Sequence, residues 1–98
     1  MNELIAEMQP AFNIGRFYFD QIPPEILTKV DNWVQTWGRD TTLAALRVVA
    51  VRYDEEDKRA NAYPPGGGAA GEAQMAASMW AMYVHKSIKY VEALPSSP

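Results

Sequence analysis

The sequence predicts an all-α protein: a small bundle of about four helices with a long C-terminal central helix, through which copies of the chain self-associate. Three observations carry this. Apolar residues recur at helical spacing over most of the chain. Prolines and glycines fall at the ends of those patterns, where helices start and stop. Apolar residues make up 48% and charged residues 21%, enough apolar side chain for a packed core. Ninety-eight residues make one domain, 1–98.

Residues 2–20 open the chain. Leu4, Ile5, Met8, Ala11, Phe12, Gly15 and Phe19 keep a helical period. Pro10 lacks an amide donor and crowds the preceding turn, which costs about 3 kcal/mol inside a helix. The expectation is a short turn of helix over 2–8 and a second helical piece over 11–19. The aromatic run Phe17-Tyr18-Phe19 leaves an extended segment open as the alternative.

The second helix starts at Pro23-Pro24, where a missing amide costs nothing. Ile26, Leu27, Val30, Trp33, Val34 and Trp37 then form a stripe about 120° wide, with polar residues opposite. Gly38 is expected to end it in the left-handed conformation. A tight turn at Arg39-Asp40 leads to the third helix, capped by Asp40 or Thr41. Leu43, Leu46, Val49, Ala50 and Tyr53 form its main face. Ala44, Val48 and Val51 carry apolar character round the back, so this helix is expected to be covered on more than one side. The run Asp54 to Arg59 is charged all round and reads as a solvated helix end, acids first and bases last.

Pro64-Pro65-Gly66-Gly67-Gly68 is the strongest break, expected as a flexible surface loop over 64–71. The last helix runs from about Ala70 or Gly71 to Leu94, where Pro95 stops it, and holds three of the five methionines. Its Trp80, Val84 and Ile88 side is assigned to the domain's own core. Its Met75, Met79, Met82, Tyr83 and Tyr90 side is offered to a second subunit or partner, because short neighbouring helices could hardly cover it all. Gln74, Ser78, His85, Lys89 and Glu92 make a narrow polar stripe. On this reading Met79→Glu breaks assembly and leaves a folded monomer, whereas Val84→Glu unfolds the domain.

The chemistry-bearing residues are sparse. The chain has no cysteine, which removes disulfides, thiolate metal sites and a cysteine nucleophile. No His, Asp or Glu set sits at metal-ligand spacing with the one histidine, His85; Lys89 lies one turn on and Glu92 two turns on. No GxSxG elbow is present. Pro65 to Glu72 leads into a helix N-terminus but lacks the Gly-Lys-Ser/Thr of a phosphate loop and sets Glu72 where phosphate would lie. No enzyme, metal or cofactor is expected. The net charge of −3, with basic residues dispersed among acids, argues against nucleic acid and anionic membranes. No apolar run approaches the roughly 18 residues of a membrane span, and the acidic N-terminus is unlike a secretory signal. A cytoplasmic location is expected. Arg47 and Arg52 interrupt apolar faces and, with Phe17, are the candidate contacts to a partner or small ligand.

Two segments resemble known families. Trp33 to Leu46, about a seventh of the chain, is similar to a helix junction of death-fold domains, although the flanking residues do not follow that family. Met79-Trp80-Ala81 with Ile88 resembles the C-terminal helix of phage anti-CBASS sponges, helical oligomers that sequester cyclic oligonucleotides. The basic segment of that family is replaced here by Pro-Gly-Gly-Gly, so no binding residue transfers. The resemblance implies a category: a phage-encoded helical protein that titrates a host signal or protein. The expected function is thus a non-enzymatic interaction protein, a phage or mobile-element accessory or inhibitor that binds a host protein as a homo-oligomer. The alternative is an oligomeric sponge that holds a nucleotide at a subunit interface, between the aromatics Tyr83, Tyr90 and Phe17 and an arginine, Arg47 or Arg52.

Overall fold

A computed structural model describes residues 1–15, 21–62, 64 and 67–95, without the side chain of Ala69. It contains four helices: α1 (Asn2–Met8), α2 (Pro24–Trp37), α3 (Arg39–Ala60) and α4 (Gly68–Ala93). No strand occurs among the described residues. The molecule is an elongated bundle of 50 × 24 × 19 Å. Its long dimension follows from the 26 residues of α4, which span about 39 Å at 1.5 Å per residue.

The hub is α3, which packs against α1, α2 and α4; α4 lies along α3 and touches α2 more lightly. The expected main face of α3 is the centre of the core, with Leu46 and Val49 fully buried and Leu43, Ala50 and Tyr53 nearly so. Ile26, Val30 and Trp33 of α2 and Leu4 and Met8 of α1 close over it. From α4, Tyr83, Val84 and Val91 enter the same core. Phe12, fully buried in the turn after α1, is the wedge between α2 and α3. Its ring lies 6.2 Å from that of Trp33 and 5.9 Å from that of Tyr53, the latter edge-on.

Several boundaries differ from expectation. The second helical piece does not form over 11–15: Ala11 and Asn13 donate to the carbonyls of Met8 and Pro10, and Ile14 to that of Phe12, so the chain turns instead of winding. Pro10, with no amide to give, prevents the four-residue ladder from continuing through it. Residues 16–20 lie outside the described residues, and the helix-or-extended alternative lies there with them. The link between α2 and α3 is Gly38 alone, at φ 88° and ψ 160°. That is not the left-handed helical conformation but an extended one with positive φ, open essentially to glycine only. Arg39 is already helical, and the start of α3 has no side-chain cap. α4 starts at Gly68, so positions 68–71 of the expected loop belong to its first turn. Among the described residues, no helix is long and apolar enough to cross a membrane.

Candidate functional site

The α3–α4 pair is held by a polar seam along one edge. The Ser78 hydroxyl donates to Asp57 at 2.6 Å, and His85 Nε2 lies 2.8 Å from the Asp54 carboxylate. Arg47 Nη2 meets Glu92 at 3.2 Å, and the Gln74 amide donates to the Ala60 carbonyl at 3.1 Å. As positions rise along α3 they fall along α4, so the helices are antiparallel. Gln74, Ser78, His85 and Glu92, from the narrow polar stripe of α4, are therefore mates of α3. Arg39 closes the seam by donating to the carbonyls of Glu92 and Leu94, each at 3.0 Å. It thereby satisfies the open carbonyls at the end of α4. The local sequence places Arg39 in a turn, because its role depends on a helix end 55 residues away.

Aromatic hydroxyls and indoles fasten the other elements. Trp33 Nε1 donates to Glu7 at 3.0 Å, joining α2 to α1. Trp80 Nε1 donates to the Ile14 carbonyl at 3.0 Å, joining α4 to the segment after α1. The Tyr53 hydroxyl sits between the Gln9 carbonyl and the Asn13 side chain. Burial, and secondarily the nearby Glu56 charge, push its phenol from the ordinary 10.0 up to about 12. The Tyr90 hydroxyl donates to Asp31 at 2.6 Å, a bond that holds this phenol above its ordinary range. Both shifted phenols serve packing contacts between elements.

The residues assigned to an interface are divided by the fold. Tyr83 is fully buried and Met79 nearly so, both inside the chain's own core. Tyr90 and Met82 are half-buried, and Met75 is exposed. Phe17 lies outside the described residues. Arg47 and Arg52 are exposed on opposite edges of α3, with Arg47 turned to Glu92 and Arg52 Nη1 donating to Gln9 at 2.9 Å. Between them the outer face of α3 is open. Val51 is 58% exposed and Val48 37%, contrary to the expectation that this back face is covered. The reason is geometric: α1, α2 and α4 all dock on the side of α3 that carries Leu46, Val49 and Tyr53.

The clefts are open and carry opposed charges. One of about 310 Å³ is lined by Glu56, Arg59, Ala60, Ala73, Ala77 and Trp80. Another of about 300 Å³ is lined by Glu7, Pro10, Ala11, Lys29 and Trp33. Among the described residues, no group of three or more His, Cys, Asp or Glu side chains could hold a metal ion. Among the described residues the exposed large apolar side chains are Met1, Met75, Val48 and Val51, and the last two lie together on the outer face of α3, bounded by Arg47 and Arg52. Comparison of the chain with protein-family models, with curated proteins and with solved structures finds no match.

Proposed function

We propose that the protein is a non-enzymatic interaction module that works through the outer face of α3, with a protein as its partner. The observation that carries this is the exposure of Val48 and Val51 in the middle of the helix whose opposite face is the centre of the core. Ala44, Val48 and Val51 recur at i, i+4 and i+7, the spacing with which a helix presents one apolar edge to another helix or a groove. Because three other helices hold α3 along its inner side, the outer face is presented rigidly, which lowers the entropy cost of docking. The role stays within the accessory or inhibitor class: it acts by occupying a partner's surface. The nucleotide-sponge alternative gains nothing from the packing, because Tyr83 is inside the core and Tyr90 is bonded to Asp31.

Site-specific photo-crosslinking in cells tests the reading. With benzoylphenylalanine in place of Val51, a discrete protein adduct is expected, and Val48→Asp should abolish it. The same probe in place of Thr28, on the outer side of α2, should give none. Equal labelling from both positions, or an adduct indifferent to Val48→Asp, would remove the assignment.

A further inference from the structure

The outer face of α3 is flanked, on the edge toward α4, by four charged side chains. At 100° per residue, Ala44, Val48 and Val51 fall within about 60° of one another. Asp40, Arg47, Asp54 and Lys58 form a row within about 40° along one border of that stripe. Their order along the helix is negative, positive, negative, positive. Asp40 and Lys58 flank the row at its two ends, and Arg47 and Asp54 flank its middle. All four are exposed.

We infer that this face docks on a second copy of the same chain, with the two α3 helices antiparallel and related by a two-fold axis beside Val48 and Val51. This rests on the interaction reading above, with the second copy as the partner. In an antiparallel pair of helices, like edges face each other. Reversing the row sets Asp40 against Lys58 of the second copy and Arg47 against Asp54, and the symmetry repeats both contacts. Every position in the row then meets its opposite sign. A parallel pair brings the row against the opposite edge, which carries Arg52 and Arg59, and makes none of these four opposite-sign contacts. The apolar stripe supplies the attraction, and the row selects the orientation, which is the usual division of labour between burial and exposed charge. Arg47 and Asp54 keep their partners Glu92 and His85 within the subunit, and each remains about half exposed on its outer side. A contact between two single helices is smaller than a standard interface, so the dimer is weak and concentration-dependent.

The test is sedimentation equilibrium from about 10 μM to about 1 mM protein, spanning the range of a weak contact. A reversible monomer–dimer equilibrium is expected. Arg47→Glu sets two carboxylates together twice and should raise the dissociation constant about tenfold. Adding Asp54→Arg should restore it. That rescue is specific to contact between copies, because the double variant breaks both the Arg47–Glu92 and the Asp54–His85 pairs inside the subunit. The chain has no cysteine of its own, so Val51→Cys, close to the axis, should oxidise to a disulfide dimer faster than Ala6→Cys on exposed α1. A monomer throughout the range, no rescue in the double variant, or equal oxidation at both positions would overturn the inference. If the chain is monomeric and the Val51 photo-probe still captures a different protein in a Val48-dependent way, self-docking fails and the interaction reading stands. If the probe captures nothing either, both fail.

Discussion

At the scale of single residues, Thr42 and Tyr53 show how the core handles polar atoms. The Thr42 side chain is fully buried, and its hydroxyl has no hydrogen-bond partner among the described residues. A buried hydroxyl without a partner costs roughly 1–3 kcal/mol, so Thr42→Val, which keeps the shape, should be neutral or stabilise by up to about 1 kcal/mol. Chemical denaturation read by circular dichroism checks this. Tyr53 is the opposite case: its hydroxyl is engaged and its phenol is held at about 12. A phenol raised above its ordinary 10.0 contributes stability that is fully present below pH 10 and is lost as pH rises toward 12. Tyr53→Phe should therefore cost about 1 kcal/mol at neutral pH through the lost hydrogen bond, and the gap between variant and parent should narrow between pH 10 and 12. Thermal melts of both proteins across that range measure it. Neither role is visible in the sequence, where Thr42 reads as part of a helix start and Tyr53 only as the last apolar position of a stripe.

At the scale of elements, two short features set the geometry of the bundle. Gly38 joins α2 to α3 with no other linking residue, at a positive φ and extended ψ. A methyl group there would meet nothing within 4 Å, so the penalty for Gly38→Ala is purely conformational. It should be about 1–3 kcal/mol, read as a lowered denaturation midpoint with unchanged slope. The glycine stop was legible because helices end on such residues. Its conformation was not, because it depends on the angle between α2 and α3. Arg39 is the second feature. Arg39→Ala should fray the last turn of α4 without unfolding the domain. Hydrogen exchange should show faster amides near Val91 to Leu94 and unchanged protection in α3.

At the scale of the whole molecule, the core binds elements distant in sequence into one unit. Phe12 touches Trp33 of α2 and Tyr53 of α3. Phe12→Ala should cost about 3–5 kcal/mol. The total for a chain of this size is only about 5–15 kcal/mol, so the variant should be close to unfolding at room temperature. Burial also revises the division drawn along α4. Met79 lies inside the core beside Tyr83 and Val84. Met79→Glu and Val84→Glu should therefore both unfold the domain, and a folded Met79→Glu protein would show that the core accommodates a charge there.

The helices themselves, their order, and the faces of α2 and α3 that enter the core were legible in the residues. Helical period, prolines and terminal glycines act within a turn or two of the chain, so a local pattern suffices to reveal them. Which apolar residues stay exposed was not legible. An apolar residue such as Val48 or Met79 has the same signature whether it is covered or exposed. Which of the two it becomes depends on where the neighbouring helices come to rest. Three helices dock on one side of α3, so Met79 is enclosed and Val48 and Val51 are left in the open. The polar stripe of α4 was visible as a stripe. Its pairing with Asp54, Asp57 and Arg47 arises only when the antiparallel register of α3 and α4 brings residues far apart in the chain to hydrogen-bond distance.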